Sequence, residues 1–425
     1  MKKAVVLLIS FVLLWQPFFV RAGPQEDYEE AYKLYLAAGI SAAAYSSRIG
    51  ELATRYLEQD GWQIDRYIQA KGSTGARFLI AKKALPEEVA YFIAIVGTEN
   101  SRDVKIDLKF DKVDFPGNAA GADALEAKPK VHRGFYKFVQ SGPSAVTRNS
   151  RRSILSLPGL PTVDGRSKLY ITGHSLGGAA ATLAGAKLLG QGIDPQQLEV
   201  ITFGAPAVGN AAFAAKFAPA LRLTRVVHSG DPVTGILQTL VGGYHQFGRE
   251  IKWTSSGLGD DPHRLAGYLD SAIKNYYDKR RRAVEFGLKL PAPPAAKQAS
   301  AERFYIAPLQ NKLPSVLTTD YWYMSEAFKD EYKRIFPDYR TADTHTDLDS
   351  WRKDARSADC RWVITSDVSA FRLKSEKNTY YITVTQTTYD VATGAAAGTA
   401  IFSTGTYNLT PLEAFIHTLK EISAR

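Results

Sequence analysis

A serine flanked by two glycines offers the clearest chemistry in this chain. Ser175 lies in Gly-His-Ser-Leu-Gly, residues 173–177, between an apolar segment and one rich in alanine and glycine. A sharp turn from a strand into a helix requires small residues on both sides of the serine, as here. Such a turn holds the hydroxyl clear of the sheet, and the N-terminus of the following helix favours negative charge beside it. We therefore predict that Ser175 is a nucleophile for acyl transfer.

A serine hydroxyl needs a general base, and the base needs an acid that orients it. In hydrolases with this turn the acid follows the serine, and the histidine comes last. Asp231 follows a strand-like segment at 221–228. Of the two next histidines, His263 opens a helix-like segment, whereas His245 leads into a strand-like one. We predict a triad of Ser175, Asp231 and His263, with His245 in a structural role.

An acyl transfer also needs donors for the oxyanion. Thr98 follows an apolar strand-like segment and offers its amide and hydroxyl, and Leu176 offers the amide directly after the serine. We predict these two residues as the oxyanion hole. The remaining histidines have no pairing at metal-ligand spacing, so the sequence implies no metal and no cofactor.

The segments around these residues alternate between strand and helix. Strand patterns at 168–172, 198–203 and 221–228 enclose helix patterns at 176–189 and 210–217. This βαβαβ order predicts a mainly parallel sheet covered by helices, with functional loops at the carboxyl ends of the strands. Upstream, one long helix is expected over 26–56, followed by further strands.

Composition divides the chain into four segments. Of 425 residues, 45% are apolar and 23% charged, a globular balance that argues against disorder and against many membrane spans. Residues 1–22 combine two lysines, an apolar run and a final alanine, which predicts a signal peptide cleaved near Ala22 and an exported protein (periplasm, cell envelope or secreted). A hydrolase part at 23–287 and a Pro/Ala linker at 288–302 follow. The smaller α+β domain at 303–425 completes the chain, and the linker predicts that the hydrolase part folds without it.

The charge of the chain indicates which kinds of partner it could bind. The net charge of +10 includes a basic run at 279–282, which is either a solvated face or a contact with an anionic membrane surface. No nucleic-acid-binding motif accompanies the charge, so no nucleic-acid partner is expected.

Cys360 is the single cysteine. The chain therefore cannot form an intramolecular disulfide, and a buried thiol in a strand-like segment is expected.

Several segments together resemble the class 3 (fungal-type) lipases of the α/β-hydrolase superfamily, over about residues 26–286. They are the serine turn, Ile-Val-Gly-Thr at 95–98, Val-His-Arg-Gly-Phe at 131–135 and Thr-Phe-Gly-Ala-Pro-Ala-Val-Gly-Asn at 202–210. The resemblance implies an α/β-hydrolase fold, the triad and oxyanion residues given above, and a lipid or ester substrate. Val96 and Pro232 depart from the family pattern, which leaves the choice of substrate open.

Residues 303–425 resemble more faintly the small α/β envelope domains found at the N-terminus of TolB. Phe-Tyr-Ile-Ala-Pro at 304–308 and Asp-Cys-Arg-Trp-Val-Ile at 359–364 carry this resemblance. It implies a domain that binds a partner, such as an envelope protein.

The sequence thus best fits an exported serine hydrolase of carboxylic esters, a lipase acting on triacylglycerol or phospholipid through an acyl-enzyme. Two alternatives stay open. One is a thioesterase or peptidase that uses the same triad, and the other is an envelope binding or scaffold protein on a hydrolase fold.

Overall fold

A computed structural model describes eleven stretches of the chain: residues 23–68, 77–85, 88–97, 111–115, 128–137, 139, 167–255, 261–290, 302–341, 347–374 and 379–423. The predicted signal peptide, the predicted oxyanion residue Thr98 and most of the Pro/Ala linker lie outside these residues.

Within its described residues, the first part of the chain has nine strands: β1 (Gln63–Ile68), β2 (Arg77–Ala84), β3 (Val89–Ile95), β4 (Lys112–Asp114), β5 (Lys130–His132), β6 (Ser167–His174), β7 (Leu198–Phe203), β8 (Arg222–His228) and β9 (Arg249–Trp253). Seven of them form one sheet in the order β1-β2-β3-β6-β7-β8-β9. The pairs from β3 to β9 are all parallel, whereas β1, β2 and β3 pair antiparallel. β4 and β5 form a separate two-stranded sheet.

Helices cover both faces of this sheet: α1 (Pro24–Ala43), α2 (Arg48–Gln59), α3 (Leu176–Gly190), α4 (Ala211–Phe217) and α5 (Leu265–Glu285). The helices form one layer on each face of the sheet. On one face, Phe92 of β3 packs in a buried cluster with α1, α2 and α5, and on the other its neighbour Ile93 packs with α3 and α4. Strands buried on both faces are mainly apolar. All six residues of β7 are buried, and four of them are apolar, with Glu199 and Thr202 between them. The predicted α/β-hydrolase fold with a mainly parallel sheet is confirmed.

The single long helix expected over 26–56 is wrong, because the structure has two helices, α1 and α2, with a break at residues 44–47. A side-chain carbon at Gly50 would overlap the carbonyl oxygen of Tyr45, so the chain can fold back this tightly only with glycine there. Ser47 then serves as the extended N-cap residue of α2. The apolar periodicity continues across the break, which explains why the sequence suggested one helix.

The last part of the chain is an α+β unit, as predicted. Its strands are β10 (Phe304–Ile306), β11 (Gln310–Lys312), β12 (Arg340–Thr341), β13 (Trp362–Arg372), β14 (Tyr380–Asp390) and β15 (Ala396–Gly405), and its helices are α6 (Tyr321–Ile335), α7 (Leu348–Ser357) and α8 (Pro411–Ser423). The strands pair in the order β12-β10-β13-β14-β15, and β11 also pairs with β13. Cys360 is a buried free thiol in a small apolar cluster beneath α7.

One hydrophobic cluster spans both parts of the chain. Leu34 of α1 and Ile273 of α5 belong to the same buried cluster as Met324 of α6 and Phe415 of α8. The segment rich in proline and alanine therefore does not separate two independent cores. Among the described residues, no helix is both long and apolar enough to cross a membrane.

Candidate active site

Ser175 lies at the turn between β6 and α3. Its backbone angles are φ 58° and ψ −125°, in the left-handed region that residues other than glycine rarely adopt. Its N–H donates a hydrogen bond of 2.9 Å to the carbonyl oxygen of Phe203, at the end of the neighbouring strand β7. The local strain is thus held by the sheet, as the predicted nucleophile turn requires.

The two glycines around Ser175 are required because the backbone passes so closely there. A side-chain carbon at Gly173 would lie 2.5 Å from the carbonyl carbon of Gly177. One at Gly177 would overlap the carbonyl oxygen of Ile95, at the end of β3. The start of α3 therefore packs directly against two strand ends, and this contact fixes the direction in which Ser175 points.

The structure brings the three predicted triad residues together. The Oγ of Ser175 lies 2.8 Å from Nε2 of His263. The Nδ1 of His263 lies 3.0 and 2.9 Å from the two carboxylate oxygens of Asp231. The three residues are 2%, 5% and 6% exposed respectively, so these hydrogen bonds are shielded from water.

Asp231 is held as a carboxylate by three donors. Besides His263, its oxygens accept hydrogen bonds from the N–H of Val233 at 2.9 Å and from the hydroxyl of Tyr268 at 2.7 Å. Burial alone would raise the pKa of Asp231, but these hydrogen bonds and the charge of His263 outweigh it, so the pKa lies below its ordinary value. An ionised Asp231 is what an imidazolium at position 263 needs for its stabilisation.

Two further histidines position the loop that carries His263. The Nε2 of His174 donates to the carbonyl oxygen of His263 at 2.7 Å, and burial lowers the pKa of His174 to about 3. His228 lies 2.9 Å through Nδ1 from the carbonyl oxygen of Pro262, and its ring stacks on Tyr268 with centroids 3.8 Å apart. Both histidines thus support the loop that carries the base.

Tyr268 is the supporting residue that the sequence did not reveal. It lies in the first turn of α5, is fully buried, and accepts a hydrogen bond from the backbone N–H of His228 while donating to Asp231. A tyrosine inside an amphipathic helix has no pattern that separates this role from ordinary packing.

One of the two predicted oxyanion residues can be placed. Leu176 is the first residue of α3, where backbone N–H groups have no acceptor within the helix. The end of β3 lies beside it, because a side-chain carbon at Gly97 would be 3.2 Å from the N atom of Gly177. Thr98, which follows Gly97, lies outside the described residues.

His245 is not part of this arrangement. Its side chain is exposed, and its backbone N–H donates to the carbonyl oxygen of Gly209 at 2.8 Å in an isolated bridge. His132 is also separate, with its ring stacked on Phe135. Within the described residues, no group of three His, Cys, Asp or Glu side chains is arranged to hold a metal ion.

Several known proteins are similar in sequence to this chain. Residues 92–240, which include Ser175 and Asp231, match the family described as Lipase (class 3). A lipase of Rhizopus niveus is 29% identical over 235 residues, covering 52% of this chain and 54% of that protein. The secreted mono- and diacylglycerol lipase 1 of Fusarium solani is 38% identical over 137 residues, covering 32% of this chain and 38% of that protein. Phospholipase A1-II 4 of Oryza sativa is 32% identical over 152 residues, covering 33% of this chain and 38% of that protein.

Among solved structures, the triacylglyceride lipase of Rhizomucor miehei is similar, with 23% identity, a TM-score of 0.42, and 53% of this chain and 80% of that chain covered. The chain spans about half the length, or less, of these curated relatives. The part of the chain around residues 92–240 is related to the class 3 lipases, so the resemblance to that family drawn from the sequence motifs is confirmed.

Proposed function

We propose that the protein is an exported serine hydrolase that cleaves carboxylic esters, and that it is a lipase acting on triacylglycerol or phospholipid. One observation carries the proposal: the Oγ of Ser175 lies 2.8 Å from Nε2 of His263, and the opposite ring nitrogen is hydrogen-bonded to Asp231. This is the order of nucleophile, base and orienting acid that acyl transfer needs.

In the proposed reaction, Oγ of Ser175 attacks the ester carbonyl carbon while Nε2 of His263 takes the hydroxyl proton. The carbonyl π electrons move to oxygen, and the N–H of Leu176 with the donors of Thr98 stabilises the oxyanion. His263 then gives its proton to the departing alcohol oxygen as the C–O bond breaks, which leaves an acyl-enzyme. Water repeats these steps and releases the carboxylic acid.

The names of the similar proteins support a lipid substrate. The relatives from Rhizopus and Fusarium are named lipases, and the relative from rice is named a phospholipase A1. A thioesterase or peptidase would use the same three side chains, so the triad alone does not select the ester. The choice between triacylglycerol and phospholipid rests on these names.

Turnover on matched substrates tests the proposal. The purified protein is assayed on emulsified triacylglycerol, phospholipid vesicles, a water-soluble ester, an acyl thioester and a peptide, with Ser175→Ala as the negative control. We expect fastest hydrolysis of one of the two lipids and loss of all turnover in the variant. Folded protein that hydrolyses none of the esters would favour the scaffold alternative, and faster cleavage of the thioester or the peptide would favour the other enzymes.

We also propose cleavage of a signal peptide near Ala22. Helix α1 begins at Pro24, with Gly23 as its N-cap residue, so a chain that starts at Gly23 retains the whole helix. The Fusarium relative is named a secreted protein, which is consistent with export. N-terminal sequencing of the exported protein should begin at or within a few residues of Gly23.

Peripheral contact with a membrane surface and binding of an envelope protein by residues 303–425 stay proposals. Part of the basic run at 279–282 is neutralised internally, because Lys279 pairs with Asp27 at 2.5 Å and Arg280 pairs with Asp330. Co-sedimentation with anionic and neutral vesicles tests the first proposal. Crosslinking in intact cells, followed by identification of the attached protein, tests the second.

A further inference from the structure

The base His263 is held through its backbone as well as through its ring. Nδ1 of His228, at the end of β8, lies 2.9 Å from the carbonyl oxygen of Pro262. Nε2 of His174, at the end of β6, lies 2.7 Å from the carbonyl oxygen of His263 itself. These two carbonyl groups flank the Cα atom of His263, so the two contacts together fix the direction in which its side chain leaves the backbone.

The partners of His228 assign the proton on its ring. A carbonyl oxygen only accepts hydrogen bonds, so Nδ1 of His228 carries the proton that points at Pro262. The opposite nitrogen, Nε2, then has a free lone pair, and the hydroxyl of Ser271 in α5 donates to it at 3.1 Å. Burial lowers the pKa of His228, which favours this neutral form of the ring.

His174 carries its ring proton on the other nitrogen. Its Nε2 faces the carbonyl oxygen of His263 and therefore donates, while the hydroxyl of Tyr45 lies 3.4 Å from Nδ1. Burial lowers the pKa of His174 to about 3, so this ring is neutral as well. The two histidines thus hold neighbouring carbonyl groups in opposite tautomers.

The neutrality of these two donors matters because His263 gains a positive charge when it takes the proton of Ser175. The ring centroids of His174 and His263 are only 4.7 Å apart. A lysine or an arginine beside the loop could also donate to a carbonyl group, but its charge would oppose the imidazolium at position 263. A buried neutral histidine supplies the hydrogen bond without that repulsion.

We propose that acyl transfer depends on one ring proton of each supporting histidine, the Nδ1–H of His228 and the Nε2–H of His174. Both are positioning residues, because they act through the backbone of His263 and keep its Nε2 at 2.8 Å from Oγ of Ser175. A reacting group displaced by ~1 Å can lose ~10²-fold in rate, so the effect belongs in kcat. The inference rests on the proposed function, since it concerns the base of that reaction.

Asparagine and glutamine separate the two ring nitrogens. In place of a histidine, the amide nitrogen of asparagine lies near the position of Nδ1, and that of glutamine lies near the position of Nε2. His228→Asn therefore keeps the donor toward Pro262, whereas His228→Gln removes it. At position 174 the reverse holds, because His174→Gln keeps the donor toward His263 and His174→Asn removes it.

Steady-state kinetics on a water-soluble ester compare the four variants, and urea unfolding checks that each is folded. We expect kcat to be at least ~10-fold higher for His228→Asn than for His228→Gln, and at least ~10-fold higher for His174→Gln than for His174→Asn. KM should differ by less than ~3-fold within each pair, because each donor faces a backbone carbonyl group. A side chain that only fills space would favour the longer glutamine at both positions.

The ring protons themselves are read without any turnover. Histidine-selective isotope labelling of the original protein, followed by two-bond proton–nitrogen correlation spectra at neutral pH, distinguishes the two tautomers from each other and from the charged ring. We expect the Nδ1–H form for His228 and the Nε2–H form for His174. Each signal is assigned by its loss in the variants at that position.

The other tautomer or a charged ring at either histidine would overturn the proposal, as would equal kcat within a pair or the same order of asparagine and glutamine at both positions. Failure of the proposed function is a separate outcome. If the original protein cleaves no ester, the rate of fluorophosphonate labelling at Ser175 replaces kcat in the same crossed comparison. Ester cleavage without the crossed order would refute this inference alone.

Discussion

Hydrogen bonds around Asp231 determine how the base at position 263 is held. Asp231 accepts from His263, Val233 and Tyr268, and these bonds keep its pKa low despite burial. The carboxylate therefore carries its negative charge at the pH where a hydrolase works. Since Asp231 and His263 are in contact, a change in the hydrogen bonding of Asp231 changes how strongly it stabilises a proton on His263.

Removing the Tyr268 hydroxyl tests this coupling. In Tyr268→Phe, Asp231 loses a donor, so its pKa rises and its attraction for a proton on His263 grows. We expect kcat/KM for ester hydrolysis to fall ~10-fold and the acidic limb of its pH profile to move to higher pH. Tyr276→Phe, in the same helix but in a cluster of tyrosine rings, is the control. An acidic limb that stays in place, or moves to lower pH, would contradict this account.

At the scale of residues, the sequence predicts the roles that follow from chain order. Ser175, Asp231 and His263 occur in the order that the turn implies, and the structure brings them together. Tyr268 could not be predicted, because its contact with Asp231 arises only when α5 packs against the end of β8. Thr98 stays a prediction, since it lies outside the described residues.

At the scale of elements, the serine turn depends on the approach of α3 to β3. A methyl group at Gly177 would overlap the carbonyl oxygen of Ile95, and neither is free to move, because both belong to the backbone of packed elements. We expect Gly177→Ala to destabilise the protein by ~3 kcal/mol or more in urea unfolding. Gly39→Ala, which meets no atom within 4 Å in helix α1, should stabilise it by up to ~1 kcal/mol. Equal effects of the two substitutions would show that the close approach is not the cause.

The positions of several strands and helices can be predicted because one clear sequence feature, such as an apolar run or a helix cap, marks each of them. A mainly apolar run, interrupted by Glu199 and Thr202, predicts the buried strand β7, and the capping box of Thr410 and Glu413 marks the start of α8. The break between α1 and α2 was missed, since it depends on the contact between Gly50 and Tyr45 and leaves no mark on the apolar periodicity.

At the scale of the whole molecule, the two parts of the chain share a core. Phe415 and Met324 are fully buried in a cluster that also contains Leu34 and Ile273. A linker rich in proline and alanine suggested independent folding, but composition says nothing about which surfaces the joined parts bury. The bounds of the two domains stay a prediction.

We expect a chain that ends at residue 290 to be insoluble or to unfold in much less urea than the full chain, because its apolar surface on α1, α2 and α5 would be exposed. Solubility and urea unfolding of the shortened protein check this. A soluble fragment with the full chain's unfolding midpoint for the hydrolase part would support the independent folding that the linker suggested.

An ion pair across the junction gives a second test of the shared core. Lys274 of α5 contacts Asp270 at 2.8 Å and Asp320 of the C-terminal part at 2.7 Å, and both carboxylates are largely buried. Lys274→Met should destabilise the protein by ~3 kcal/mol, because the two carboxylates then face each other without a cation. Lys168→Met, at an exposed pair with Glu88, should cost ~1 kcal/mol or less. Equal changes in the urea midpoint would contradict a buried junction.

Covalent labelling with a fluorophosphonate tests the catalytic geometry most directly, because the reagent reacts with a serine only when a base activates it. Mass spectrometry of the labelled protein should place a single adduct on Ser175. The labelling rate should fall ~10³-fold in His263→Ala and change little in His245→Ala. Folded protein that takes up no label, or an adduct on another residue, would contradict the account.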